Sequence, residues 1–220
     1  NRIAEVTKKC GRDEDSVKLV AVSKRFPAEA VLEAKKAGQY LFGENYIQEA
    51  KEKYDAVGKE VSFHFIGHLQ SNKAKTAAEI FSMIETVDRV KVAAALQKHL
   101  EELDKKLDIL IQVNIGFDEK KSGVSPDGAE ELLRKISRFS MLQPRGLMTM
   151  PPFTEDPEDS RPYFKKLKCL ADKLQEKNLF FDNKNVELSM GMTNDYQVAI
   201  EEGATLVRIG TAIFGERTTS

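Results

Sequence analysis

The chain has little of what marks a secreted, membrane-bound or nucleic-acid-binding protein. Its 220 residues include two cysteines, Cys10 and Cys169. They lie far apart and in no Cys-x-x-Cys pattern, which argues against a disulfide framework and leaves two free thiols, as expected in the cytoplasm. Neither sign of charge dominates. The 34 Lys and Arg against 35 Asp and Glu leave a formal net charge of −1, so neither a basic nucleic-acid groove nor a polybasic membrane patch is expected. No apolar run approaches the ~20 residues of a spanning helix. No signal-peptide pattern opens the chain, and Asn1 in place of an initiator Met suggests that further residues precede it. No low-complexity linker divides the sequence, so residues 1–220 are expected to form a single domain.

Three motif absences narrow the chemistry. A dinucleotide site would put Gly-x-Gly-x-x-Gly after the first strand, and that position reads Ser23-Lys24-Arg25-Phe26-Pro27. No lysine-bearing Walker sequence is present. His64 and His68 stand four apart, but Phe65-Ile66-Gly67 between them reads as strand and turn, and no Glu follows the first histidine. Metal chemistry of the His-Glu-x-x-His type fails, and no metal site is expected.

What is present is an alternation. Ile3, Val6 and Cys10 at helical spacing predict a short N-terminal helix closed by Gly11. Strands are expected at Leu19–Ser23, Tyr40–Phe42, Ser62–Ile66, Met83–Val87, Leu107–Asn114, Arg145–Met148, Val186–Met190 and Ala204–Ile209, each but the last followed by a helical pattern. Asp88 is the expected N-cap of a long helix reaching Leu103. Eight strands alternating with helices imply a parallel sheet and favour a closed (β/α)8 TIM barrel over an open doubly wound sheet.

Barrel chemistry is built at the C-terminal strand ends. Period-2 alternation puts Val20, Val22 and Lys24 on one face of the first strand. In strand five it turns Leu110, Gln112 and Asn114 to the lumen, as a polar layer or as a site. In strand eight Val207 and Ile209 face the helices, so Arg208 faces the lumen, where a carboxylate or a ligand acceptor must meet it. Ser189 and Gly191 after strand seven, and Gly210 and Thr211 after strand eight, have the glycines and hydroxyls of a phosphate cup. Met148, Met150, Met190 and Met192 read as lumen packing. A strand-end lysine, a lumenal arginine and a phosphate cup match one ligand with an aldehyde, a ring nitrogen and a phosphate: pyridoxal 5′-phosphate (PLP). Lys24 would form an imine with the aldehyde, and Arg208 would meet the ring nitrogen and disfavour its protonation.

Ala21-Val22-Ser23-Lys24, Phe42-Gly43-Glu44-Asn45-Tyr46, His64-Phe65-Ile66-Gly67, Gly146-Leu147-Met148-Thr149-Met150, Leu188-Ser189-Met190-Gly191-Met192 and Val207-Arg208-Ile209-Gly210-Thr211-Ala212-Ile213-Phe214-Gly215 together resemble the pyridoxal phosphate homeostasis protein family over essentially the whole chain. That family is similar to the N-terminal barrel of alanine racemase, of fold-type III. The resemblance implies Lys24 as the Schiff-base lysine, Arg208 at the ring nitrogen, Ser189, Gly191, Gly210 and Thr211 around the phosphate, and Asn45 against the ring substituents. The resemblance implies that racemases of this kind draw a second base from a C-terminal domain, and with five residues after Gly215 no such domain is expected here. A cytoplasmic, monomeric, non-catalytic PLP carrier that buffers the cofactor or delivers it to apo-enzymes is therefore the leading expectation. The alternatives are a racemase-like enzyme using His64, Tyr46 or Lys121 as extra base, and a Schiff-base aldolase using Lys24.

Overall fold

A computed structural model describes residues 2–118 and 121–215. Helix α1 (Arg2–Lys9) comes first. The barrel alternates β1 (Lys18–Val22), α2 (Ala28–Lys36), β2 (Leu41–Glu44), α3 (Ile47–Val57), β3 (Ser62–Phe65), α4 (Ala74–Ile80), β4 (Met83–Val87) and α5 (Val90–Glu102). It continues through β5 (Leu107–Gln112), α6 (Ala129–Ile136), β6 (Leu142–Met148), α7 (Arg161–Glu176), β7 (Glu187–Ser189), α8 (Tyr196–Glu201), β8 (Leu206–Ile209) and α9 (Thr211–Phe214). The strands pair in parallel and in sequence order. The barrel closes where Lys18–Ala21 pairs with Leu206–Ile209.

Alternation along each strand sorts the side chains into two layers. Outward residues such as Ala21, Phe42, Phe63, Phe65, Ile109, Ile111 and Val207 pack under the helices. Inward residues Val20, Met83, Leu110, Met148 and Leu206 form a separate cluster in the lumen. The aromatic layer sits outside: Phe42 lies 6.0 Å from Phe63, and Phe65 meets Phe81 edge-on at 5.2 Å. Each such ring contributes about 1.5–3 kcal/mol when removed from water. Helix α5 shows how the sheath is made, since its buried residues Val92, Ala93, Leu96, Gln97 and Leu100 fall on one stripe.

Element ends depart from the sequence pattern for physical reasons. Strand β6 begins at Leu142 and passes through Pro144, which lacks a ladder donor. A register shift absorbs it: Ile109 pairs with Pro144 and Leu110 with Gly146, leaving Arg145 as the extra residue. Asp88 is not the N-cap of α5. Arg89 holds that position without a side-chain cap, and the Asp88 carboxylate accepts from its guanidinium instead. Strand β5 ends at Gln112 because Asn114 is drawn into the following loop, accepting from the Asp118 N–H and donating to the Asp118 and Lys121 carbonyls. The methionines are not one lumen group. Met148 is inside, Met190 packs under the helices, and Met150 and Met192 line a cavity at the barrel mouth.

Candidate functional site

At the C-terminal end of β1 the chain turns immediately after Val22, and Lys24 follows the inward face of the strand. Its half-buried side chain borders a cavity of about 140 Å³ with Asn45, Arg208, Gly210 and Thr211. The turn is gripped from behind. Ser23 Oγ donates to Glu44 Oε1 (2.6 Å), and the buried Lys53 ammonium donates to Ser23 O, Glu44 Oε1 and Glu49 Oε1, each at 2.6 Å. The Arg25 N–H donates to Glu49. Arg25 adopts φ +64°, a left-handed conformation that a non-glycine residue keeps only when its surroundings hold it. Burial raises the Glu44 carboxyl above the usual range, and Lys53 and Ser23 offset only part of that.

Arg208 is 3% exposed and points into the lumen. Its Nη1 donates to Ser189 Oγ and its Nη2 to Thr149 O (2.8 Å). Ser189 Oγ donates to Glu85 Oε2 (2.5 Å), and Glu85 Oε1 lies 2.7 Å from His64 Nδ1. Burial works to raise the Glu85 carboxyl, but His64, Arg208 and Ser189 outweigh it and hold it below the usual range. It is therefore the carboxylate that compensates the guanidinium, 4.0 Å away. Burial lowers Arg208 as well, against the opposing pull of Glu85 and Asp195.

A glycine-bearing corner borders the same cavity as Lys24. Gly191 has φ +89°, and a Cβ there would stand 2.5 Å from Ala199 Cβ. Its carbonyl accepts from the Arg208 N–H (3.0 Å), which ties the loop after β7 to β8. Thr193, Gly210 and Thr211 line the corner. Gly67 lets the other wall close in, because a Cβ there would lie 2.2 Å from Asn45 O. Asn45 Oδ1 is buried and has no hydrogen-bond partner, a cost of about 1–3 kcal/mol that a donor at this point would remove.

Lys24, Asn45, Arg208, Gly210 and Thr211 thus converge on one cavity, with Gly191 in its supporting loop. Ser189 stands apart from that lining. It is fully buried, and its hydroxyl is engaged with Arg208 and Glu85 in the lumen; Thr193, two residues beyond Gly191, supplies the hydroxyl on the cavity wall. The carboxylate partner of Arg208 was also legible in principle. Met83-Ile84-Glu85-Thr86-Val87 alternates, and Glu85 shares the inward face with Met83. Lys53 lies in a helix pattern that offers no comparable clue. A second chamber of about 340 Å³ adjoins the first through Asn45, Ile66, Met150 and Met192, and Gln112 and Lys121 border it. Lys121 Nζ donates to Pro151 O (2.8 Å). Tyr46 lines a neighbouring cavity, and His64 borders one at the opposite end of the barrel. Among the described residues no group of three His, Cys, Asp or Glu could hold a metal, and no helix is long and apolar enough to cross a membrane.

The sequence pattern of the alanine racemase N-terminal domain matches residues 1–218. An alanine racemase from Clostridium difficile shares the fold, with a TM-score of 0.74 at 15% identity over all of this chain and 56% of that one. The pyridoxal phosphate homeostasis protein of Aquifex aeolicus is 42% identical over 98% of this chain and 94% of its own. PipY of Synechococcus elongatus, solved with PLP bound, superposes with a TM-score of 0.85 at 36% identity, covering 97% of this chain and all of that one. The chain belongs to the pyridoxal phosphate homeostasis protein family.

Proposed function

We propose that this protein binds PLP at the Lys24 cavity and serves intracellular PLP homeostasis, buffering the cofactor or delivering it to apo-enzymes. The observation that carries the reading is that Lys24 and Arg208, from the paired strands β1 and β8, line one small cavity together with Gly210 and the hydroxyl-bearing Thr193 and Thr211. The donor set fits the group. Lys24 is the amine that would hold the aldehyde. Arg208 can only donate, so it suits an unprotonated ring nitrogen. Gly210 and Thr211 open a short helix whose first N–H groups have no partner within it, and with Thr193 they suit a phosphate. Asn45 Oδ1 lacks a donor that a ring hydroxyl would supply. When bound, PLP supplies an electrophilic aldehyde and a conjugated ring. A cation at the ring nitrogen restrains that ring as an electron sink.

A holding role is favoured over turnover by where the local bases lie. His64 is locked to Glu85 on the far side of Arg208, and Lys121 is engaged with main-chain carbonyls. An aldolase would leave the glycine corner and Arg208 without work. Tyr46, Met150, Phe153 and Ile213 are exposed around the mouth, which supports docking of an acceptor enzyme there. The unpaired Cys10 and Cys169 agree with a cytoplasmic protein, which we take to act as a monomer. Purified protein mixed with PLP should give a near-visible absorbance band that borohydride fixes to Lys24. Lys24→Ala should abolish the band; a full-strength band in that variant, or an adduct on another lysine, overturns the assignment. Transfer of PLP from the loaded protein to an apo-enzyme then separates delivery from storage.

A further inference from the structure

The lumen beneath the cavity carries a chain of side chains whose hydrogen bonds can run only one way. Arg208 has donors alone. Glu85, held as a carboxylate, has acceptors alone. Ser189 stands between them, so its single proton goes to Glu85 Oε2 and its lone pairs receive Arg208 Nη1. The other carboxylate oxygen, Oε1, faces His64 Nδ1 at 2.7 Å, and that nitrogen must carry the proton. Both oxygens of Glu85 are thereby used, one toward β7 and one toward β3. A carboxylate gripped at one oxygen can swing about its last bond; gripped at both, it cannot. His64 is only 7% exposed, and it borders a cavity of about 590 Å³ at the end of the barrel opposite Lys24. The chain therefore crosses the barrel from that mouth to the guanidinium beside the cofactor cavity.

We infer that Glu85 and His64 are positioning residues for the cofactor. Through Ser189 they orient the Arg208 guanidinium and draw on its charge, and so set how strongly Arg208 engages the ring nitrogen. His64 touches no part of the cofactor cavity and acts only through Glu85. The inference rests on the PLP reading above.

The test separates the hydrogen bond from the bulk of the imidazole. His64→Phe keeps an aromatic ring of similar size and deletes the Nδ1 donor. His64→Asn loses the ring but places an amide N–H near the Nδ1 position. Each is loaded with PLP, its absorbance spectrum recorded, and its affinity measured by equilibrium dialysis beside the wild type. H64F should bind PLP about tenfold more weakly, the worth of one hydrogen bond to a charged group, and should change the ratio of the bound cofactor's absorbance bands. H64N should restore both toward wild type. Packing alone predicts the reverse ranking, so a wild-type-like H64F, or an H64N as impaired as H64F, overturns the inference. If H64F fails to fold, as melting would show, Ser189→Ala breaks the same chain with the loss of one oxygen. A shifted spectrum then supports the inference, and unchanged spectrum and affinity overturn it. Failure of the wild type to bind PLP would instead count against the PLP reading itself.

Discussion

Two buried glutamates stand on neighbouring parts of this barrel, and their surroundings move them in opposite directions. Glu85 lies in the lumen with both oxygens occupied, by His64 and by Ser189, and with Arg208 4.0 Å away. Glu44 ends β2 and faces outward toward α3, where Lys53 and Ser23 share its Oε1 while its Oε2 has no partner and Glu49 adds a like charge nearby. Both are completely buried. Burial pushes each carboxyl upward, yet only Glu85 has enough donors and positive charge to end below the usual range. Depth therefore does not decide whether a buried carboxylate stays charged; satisfaction of both its oxygens does. The difference matches the work of each group. Glu85 is a counter-charge for a cation that faces the cofactor cavity. Glu44 holds the Ser23 hydroxyl and Lys53 its carbonyl, beside Lys24, and for that a hydrogen bond suffices whether or not the carboxyl is ionised.

The comparison can be broken at either glutamate. The largest effect is expected from Glu85→Leu, which leaves the Arg208 guanidinium buried without compensation; urea denaturation should show a loss of about 3–5 kcal/mol. A loss under 1 kcal/mol would mean that Ser189 and Thr149 alone satisfy Arg208. Lys53→Met should cost less, about 2–3 kcal/mol, because the already raised Glu44 carboxyl can take up a proton instead of remaining a lone charge. Adding Glu44→Gln to Lys53→Met should recover part of that loss. No recovery would show that Lys53 acts on Ser23 and not on Glu44.

The smallest effect is in the pH profile, and its sign differs between the two groups. The folded-state value of Glu85 is depressed, so its stabilisation is present above the ordinary carboxylate range and is lost as pH falls through the lower folded value. Glu44 is raised, so the folded chain takes up a proton where the unfolded chain does not. Acidification from that raised value down to the ordinary range therefore adds stability, about 1.4 kcal/mol for each unit of difference. Glu44→Gln should flatten the upper window of a stability–pH curve and leave the lower one in place. A change in the lower window alone would reverse the assignment of the two groups.

Much of this was legible from the residues in line. Strand alternation put Val20, Val22 and Lys24 on one face, and it separated Arg208 from Val207 and Ile209. The folded barrel keeps both divisions, because a pleated strand alternates whatever it pairs with. Short-range reading failed where a distant partner overrides a local rule. Asn114 fits the inward alternation of β5, but loop carbonyls at Asp118 and Lys121 capture its amide. Asp88 is a good N-cap by type, but the adjacent Arg89 takes its carboxylate. Ser189 carries the chemistry of a phosphate loop, and in the folded barrel its hydroxyl is shared between Arg208 and Glu85.

What the sequence determined by itself was the repeating strand–helix pattern, the inward or outward sense of each strand residue, and the need of a lumenal Arg208 for a partner. All of these follow from the period of the backbone and the cost of burying charge. Which partner it finds was decided only by closure of the barrel. Glu85 and Ser189 are 104 residues apart and meet because β4 and β7 face each other across the lumen. Lys53 reaches Ser23, 30 residues earlier, because α3 packs over the end of β1. Local periodicity fixes the direction in which a side chain points, and the tertiary fold alone fixes what stands opposite.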